Sequence, residues 1–104
     1  MREELRKEID SIVSQVIKNY RPEKIILFGS AAHGEFTEDS DIDLLIVKNT
    51  EQPFTERLRE LYRTLDYNIA LDILVYTQDE IDKYRPQSYF IQDIFEKGIV
   101  LYEQ

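Results

Sequence analysis

The sequence predicts an α+β fold, in which helices pack on a mixed β-sheet within a single small domain spanning residues 1–104. Four apolar runs, each four residues long, are too short for helices and consist largely of strand-forming residues. Between these runs, apolar residues recur at helical spacing. A chain of 104 residues can bury one hydrophobic core and leaves little room for a second domain.

The N-terminal part begins with an amphipathic helix over residues 3–20, which ends before Pro22. Its apolar face consists of Leu5, Ile9, Ile12, Val13, Val16, Ile17 and Tyr20. Residues 25–28 then form a buried strand that stops at Gly29. Because glycine readily adopts a positive φ, Gly34 is expected to close a short helix that follows this strand.

The middle of the chain predicts two further strands with a helix between them. Residues 42–48 form the second strand, and residues 70–76 form the third. The helix between them follows Pro53, a residue that is well tolerated at the start of a helix. Its apolar face consists of Phe54, Leu58, Leu61, Tyr62 and Leu65.

Two short helices and a last strand complete the predicted order. Thr77 and Glu80 have the spacing of a capping box, so a helix is expected to begin there. Ser88 can cap another helix, which runs until Gly98. Residues 99–102 are expected to form a short strand or a segment packed on the core.

The composition excludes several classes of protein and of site. The net charge of −8, from 21 acidic and 13 basic residues, argues against a protein that mainly holds nucleic-acid phosphates and favours a basic partner or a metal-bridged anion. Because cysteine is absent and histidine occurs once, disulfide scaffolds, zinc fingers and thiol catalysis are excluded. A hard metal bound by carboxylates is compatible with this composition. The short apolar runs and the charged N-terminus predict a cytoplasmic protein.

Two aspartates stand at the start of the second predicted strand. Side chains two positions apart in a strand share one face, at a spacing of about 6.7 Å, so Asp41 and Asp43 project together. The opposite face carries Ile42, Leu44 and Ile46. Two ionised carboxylates this close repel each other, and a magnesium ion bound to both relieves that repulsion. The alternative is an acidic polar turn, since Asp-x-Asp is common in acidic proteins.

A third aspartate lies inside an apolar segment. The neighbours of Asp72 in residues 70–75 predict a buried strand, so its carboxylate needs a compensating partner. If this strand lies beside the second one, Asp72 joins Asp41 and Asp43 on one face. Three carboxylates there can hold two metal ions about 3.5 to 4 Å apart. The alternative is a buried carboxylate that binds backbone N–H groups or a lysine.

The turn Gly29-Ser30 offers hydrogen-bond donors to a phosphate. Glycine lets the backbone approach a ligand closely, and a strand that runs into a short helix leaves N–H groups that favour an anion. The Ser30 hydroxyl is a further donor. Gly-Ser is also a common turn dipeptide, so the signal comes from its position before Asp41.

A known family shows the same joint pattern. The chain resembles the DNA polymerase β-like nucleotidyltransferase superfamily, and its short length resembles the minimal nucleotidyltransferases of prokaryotes. The matching features, in order, are Gly29-Ser30, Gly34, Asp41-x-Asp43 and Asp72 on a later strand. The resemblance implies the nucleotidyltransferase fold. It also implies transfer of a nucleoside monophosphate from a nucleoside triphosphate to an acceptor hydroxyl, with release of pyrophosphate.

The resemblance implies a role for each matching residue. Asp41 and Asp43 would bind two Mg²⁺ ions. Asp72 would bind the ion that activates the acceptor oxygen, or would take the acceptor's proton. Gly29 and Ser30 would hold the triphosphate of ATP, the expected substrate. This assignment follows the two-metal chemistry of phosphoryl transfer, in which the ions neutralise charge on the attacked phosphorus and on the leaving oxygen.

The short helix after the turn departs from the family pattern. Many family members carry a basic residue there, whereas this sequence has Ala31-Ala32-His33. His33 is therefore the candidate nucleotide-binding cation in this helix. The alternative is a solvated or capping histidine.

The resemblance also implies a partner. Similar small proteins are antitoxins that attach AMP to a tyrosine of a HEPN-type toxin ribonuclease, and the acidic composition suits a basic ribonuclease. Neither a membrane nor direct nucleic-acid binding is expected, and a homo-oligomer is compatible with the sequence. The alternatives are a small-molecule acceptor and a catalytically inactive partner that masks a toxin. Three retained carboxylates argue against the inactive alternative.

Overall fold

The computed structural model describes residues 3–34 and 41–104, which form a mixed four-stranded sheet with helices on both faces. The helices are α1 (Glu3–Tyr20), α2 (Phe54–Arg63), α3 (Gln78–Tyr84) and α4 (Tyr89–Lys97). The strands are β1 (Lys24–Phe28), β2 (Ile42–Val47), β3 (Leu71–Tyr76) and β4 (Ile99–Glu103). Short 3₁₀ helices lie at Ser30–His33 and Arg85–Gln87. The predicted α+β fold and element order are confirmed.

Among the described helices, none combines the length and apolar character needed to cross a membrane.

The strand order β3-β2-β1-β4 brings particular residues side by side. β1 pairs antiparallel with both β2 and β4, whereas β2 and β3 run parallel, with α2 as the connection between them. Asp43 lies opposite Phe28 in one pairing and opposite Asp72 in the other. Because directly opposed residues share a face of a sheet, these three side chains form a row at one end of it.

The alternating side chains of the strands feed two separate hydrophobic cores. One face of the sheet packs against α1 and α2, and its buried strand residues are Ile25, Leu27, Ile42, Leu44, Ile46, Ile73 and Val75. The opposite face packs against α3 and α4, and its buried residues are Ile26, Leu45, Val47, Ile81, Ile91 and Ile94. The predicted orientation of β2 is therefore confirmed, and Asp43 lies on the α3 and α4 face.

The helix ends follow the local sequence signals. In the capping box of α3, the Glu80 N–H donates to Thr77 Oγ1 at 3.1 Å, and the Thr77 N–H donates to Glu80 Oε1 at 2.8 Å. Ser88 caps α4 by accepting from the Ile91 N–H at 3.2 Å. Gly98 ends α4 with a negative φ of −70°, so its role is steric. A Cβ there would meet the Ile94 carbonyl and the side chain of Ile26.

Side chains of α2 cover the outer edge of β3. The buried Arg57 donates to the Val75 carbonyl at 3.2 Å and forms a bidentate pair with Glu80, at 2.6 and 3.2 Å. The Tyr62 hydroxyl donates to the Leu71 carbonyl at 3.0 Å. These contacts satisfy backbone carbonyls that an edge strand leaves unpaired, and they tie α2 and α3 to the edge of the sheet.

Candidate active site

Three carboxylates converge where β2 and β3 begin. Asp41 directly precedes β2, Asp43 is its second residue, and Asp72 is the second residue of β3. One carboxylate oxygen from each residue lies within 4.8 Å of the other two. The parallel register causes this convergence, since it sets Asp43 opposite Asp72. The structure thus brings the three predicted aspartates together on one face.

The surroundings of Asp72 differ from the prediction. The apolar neighbours predicted a buried carboxylate, but Asp72 is exposed. The prediction is wrong because β3 is an edge strand and Asp72 lies near its start. Asp43, on the adjacent inner strand, is the half-buried member of the cluster. The cluster is therefore open to solvent on the Asp72 side.

The electrostatics of the cluster favour a cation. Burial raises the pKa of the Asp43 carboxyl, and the negative charges of Asp72 and Asp41 raise it further. Among the ion pairs formed within residues 3–34 and 41–104, none involves these three aspartates. A bound cation would therefore supply compensation that the described side chains do not.

The donor set fits magnesium. Mg²⁺ binds oxygen ligands at about 2.0 to 2.1 Å, so two ligands of one ion can lie at most about 4.2 Å apart. The separations of up to 4.8 Å between the three carboxylate oxygens are close to that limit. Asp41, Asp43 and Asp72 could therefore hold one Mg²⁺ ion or a pair of ions. Carboxylates are also the protein ligands that Mg²⁺ prefers.

The turn after β1 lies directly against the carboxylate cluster. Gly29 adopts φ +74° and ψ −157°, a conformation that is essentially restricted to glycine. A Cβ at this position would collide with the Asp43 carboxylate. Ser30 follows as the first residue of the 3₁₀ helix, in which the Ala32 N–H donates to the Gly29 carbonyl at 3.1 Å. The phosphate-binding turn predicted from the sequence and the acidic residues therefore belong to one site.

Gly34 and His33 end the same 3₁₀ helix. Gly34 has φ +74° and ψ 9°, so its predicted left-handed conformation is confirmed. His33 is exposed at the C-terminal end of the helix. Within the described residues, no hydrogen bond or ion pair joins His33 to a carboxylate of the cluster. A phosphate contact by His33 remains a prediction.

An aromatic pair borders the cluster on the β1 side, and the sequence did not identify it. Phe28 lies opposite Asp43, and its ring meets the ring of Phe90 edge to face, with centroids 5.8 Å apart. Phe90 nevertheless remains 54% exposed. The sequence did contain a sign of this exposed ring. The helical spacing of Ile91 and Ile94 defines the buried face of α4, and Phe90 does not belong to that face.

The comparisons with known proteins agree with this geometry. Residues 10–104 match the protein family described as polymerase beta, nucleotidyltransferase. Two proteins of Methanocaldococcus jannaschii, each named "Putative protein adenylyltransferase", are similar to this chain. One is 36% identical over 98 residues, covering 92% of this chain and 96% of the relative. The other is 29% identical over 96 residues, covering 92% and 94%.

A solved structure shows the same fold. The crystal structure of a protein described as a "putative nucleotidyltransferase" from Sulfolobus solfataricus superposes with a TM-score of 0.65. The superposition covers 100% of this chain and 90% of that protein, at 21% sequence identity. Because the family match extends over nearly the whole chain and includes the turn and the carboxylates, this chain belongs to the polymerase beta nucleotidyltransferase family and is a nucleotidyltransferase.

Proposed function

We propose that this enzyme transfers AMP from ATP to a hydroxyl side chain of a partner protein. The main support is the position of the carboxylate cluster directly beside the Gly29-Ser30 turn, because carboxylates able to bind a metal then lie next to a backbone able to bind a phosphate. The two relatives named for protein adenylylation support ATP as the nucleotide and a protein as the acceptor.

The reaction needs one bond to form and one to break. The acceptor oxygen attacks the α-phosphorus of ATP, the bond from that phosphorus to the bridging oxygen of pyrophosphate breaks, and the acceptor loses its proton. When bound, two magnesium ions would neutralise charge on the phosphates and lower the pKa of the acceptor hydroxyl. Asp41 and Asp43 would hold both ions, and Asp72 would hold the one nearer the acceptor or accept its proton.

The remaining residues of the site orient the nucleotide. Gly29 lets the backbone come close to the triphosphate without a side chain in the way, and the Ser30 hydroxyl can donate to a phosphate oxygen. Asp72 is exposed on an edge strand, so a hydroxyl carried by a large molecule can approach from that side. This open approach favours a protein acceptor over one that must enter a deep pocket.

We propose a HEPN-type toxin ribonuclease as the partner and one of its tyrosines as the acceptor, which makes this chain an antitoxin. The net charge of −8 supports a basic partner, because complementary charge accelerates association and fixes orientation. Attachment of AMP would add a negative phosphodiester to the toxin and would interfere with the RNA phosphates that a ribonuclease must bind.

Label transfer tests the proposal directly. The protein is incubated with Mg²⁺, ATP labelled at the α-phosphate, and the protein encoded beside it. We expect the label on a tyrosine of the partner, and we expect Asp43→Asn to reduce transfer by at least about 100-fold, since one ligand of both ions is lost. The fold of Asp43→Asn should be as stable as the wild type or more so, because the substitution removes carboxylate repulsion.

Asp10→Asn is the matched control, because Asp10 is an exposed aspartate on α1, outside the site. It should transfer label at the wild-type rate. Absence of transfer with either Mg²⁺ or Mn²⁺ would contradict the enzymatic proposal and favour a partner that only masks the toxin. Label found on a small molecule instead of a protein would contradict the proposed acceptor. Unfolding of Asp43→Asn with unchanged activity per folded molecule would show that Asp43 is structural.

A further inference from the structure

We propose that Phe90 is the surface on which the nucleobase of the nucleoside triphosphate stacks. The inference rests on the proposed function, and it assigns a role to an aromatic ring that neither the fold nor the carboxylate chemistry requires. Phe90 is the second residue of α4, and it is more than half exposed while Ile91 and Ile94 of the same helix are buried.

Phe90 is tied to the carboxylates through one contact. Asp43 lies opposite Phe28 across the β1–β2 pair, so the two side chains are neighbours on one face of the sheet. The ring of Phe28 meets that of Phe90 at an interplanar angle of 84°, an edge-to-face arrangement. Phe28 is the last residue of β1 and Gly29 follows it directly, so the residue that contacts Phe90 is adjacent in the chain to the proposed phosphate-binding turn.

The direction of the reaction decides which substrate faces Phe90. In phosphoryl transfer, the attacking and leaving oxygens lie roughly in line. The Gly29-Ser30 turn, which would hold the leaving phosphates, lies on the β1 side, and Asp72 lies on β3 at the other side of the cluster. The acceptor would then approach from β3. The β1 side, which carries both the turn and Phe90, would be left to the triphosphate and its nucleoside.

Stacking on a phenyl ring suits a nucleobase. Every base presents a π-face, and aromatic stacking contributes substantially to the binding of a single base without requiring hydrogen bonds to its edge. Phe90 offers no hydrogen-bond donor or acceptor, so it would favour the larger purines by contact area and would not by itself distinguish adenine from guanine. Selection between those purines would then depend on other groups.

Direct binding measurements separate the base from the phosphates. The affinities of ATP and of inorganic tripolyphosphate are measured by calorimetry in the presence of Mg²⁺, for the wild type, Phe90→Ala and Phe90→Leu. We expect Phe90→Ala to weaken ATP binding roughly 5- to 150-fold, the loss expected for one stacked base, and to leave tripolyphosphate binding unchanged. The ATP affinity of Phe90→Leu should lie between those of the wild type and Phe90→Ala, because leucine keeps apolar contact but lacks the ring.

Phe54→Ala is the matched control. Phe54 is another partly exposed phenylalanine, and its ring meets Tyr76 at a centroid distance of 5.7 Å. Tyr76 ends β3, whereas Asp72 lies near the start of that strand, so Phe54 is remote from the carboxylates. Phe54→Ala should bind ATP as the wild type does. Unfolding midpoints of all variants verify that each is folded at the temperature of the measurement.

Three results would overturn the inference. ATP affinity could be unchanged in Phe90→Ala, the wild type could bind ATP no better than tripolyphosphate, or Phe90→Ala could raise KM for the acceptor protein alone. The last result would assign the surface to the acceptor. In each case the wild type still binds phosphates and transfers AMP, so the proposed function stands. If the wild type binds neither ligand, the proposed function itself fails.

Discussion

Gly29 is the residue at which backbone conformation and site geometry are most tightly coupled. Its φ of +74° with ψ of −157° disfavours any side chain, and a Cβ would also displace the Asp43 carboxylate. Gly29→Ala should therefore lose about 1 to 3 kcal/mol of stability and, in addition, most of its transferase activity. Urea denaturation and label transfer, measured on the same preparation, check both effects.

Gly34→Ala separates the two effects. Gly34 also has a positive φ, but a Cβ there would have no heavy atom of residues 3–34 or 41–104 within 4 Å. The variant should lose about 1 kcal/mol of stability from the left-handed backbone alone and keep far more activity per folded molecule than Gly29→Ala. Equal losses of activity in the two variants would show that backbone strain, and not the displacement of Asp43, limits the reaction.

At the scale of single residues, the sequence predicted the convergence of the three aspartates better than it predicted their surroundings. The spacing of Asp41 and Asp43 placed both on one face, because strand periodicity is a local property. The exposure of Asp72 and the contact between Gly29 and Asp43 depend on which strand is at the edge and on the β1–β2 register. Neither the exposure of Asp72 nor the contact between Gly29 and Asp43 can be inferred from the residues next to them in the sequence.

At the scale of elements, the pair Arg57–Glu80 joins α2 to the capping box of α3. The hydrogen bond from Arg57 lowers the pKa of the Glu80 carboxyl below its ordinary value, and contacts with Thr77 lower it further. Glu80→Gln should cost about 1.5 to 3 kcal/mol at neutral pH, because the buried Arg57 then lacks a charged partner. Urea denaturation of both proteins measures the difference.

The pH dependence of this difference has a definite sign. Folding lowers the pKa of the Glu80 carboxyl from its ordinary value of 4.5. The contribution of Glu80 to the free energy of unfolding is therefore complete above pH 4.5 and is lost as the pH falls through the lower pKa of the folded state. The difference in free energy of unfolding between the wild type and Glu80→Gln should therefore become smaller below pH 4.5. Glu56→Gln, which breaks the exposed pair with Arg59, is the control and should change stability by at most about 0.5 kcal/mol. A gap that stays constant with pH would contradict the ionic role of Glu80.

Helices were predicted more completely than the sheet. The bounds of α1 and the caps of α3 and α4 follow from signals within a few residues, such as Thr77 and Ser88. The strand order and the edge position of β3 arise from packing between distant segments. The buried Arg57 shows the same limit, because its partner Glu80 and its acceptor Val75 lie on other elements.

At the scale of the whole molecule, metal and nucleotide should stabilise the fold by mass action. A ligand present at 100 times its Kd adds about 2.7 kcal/mol, which for a domain of this size raises Tm by roughly 10 °C or more. We expect Mg²⁺ together with a non-hydrolysable ATP analogue to give a shift of this order. Thermal unfolding followed by circular dichroism measures it.

The acidic composition dictates the control for this experiment. With a net charge of −8, any salt screens self-repulsion and raises Tm to some extent. The comparison is therefore with NaCl at equal ionic strength, and with Asp41→Asn, which lacks one of the proposed ligands. Equal shifts in Asp41→Asn and the wild type would indicate screening and would contradict a specific metal site.

The parallel pairing of β2 with β3 also makes the active site a measure of correct folding. A slip of β3 by one residue would turn Asp72 toward the face covered by α1 and α2, away from Asp43. Parallel strands need a crossover connection, here through α2, and such non-local pairings are slow to form. A refolding chain can thus regain its helices and a collapsed core while it remains inactive, because Asp43 and Asp72 are not yet paired. The recovery of activity, compared with the recovery of helical signal, therefore reports the moment at which the strands reach their native register.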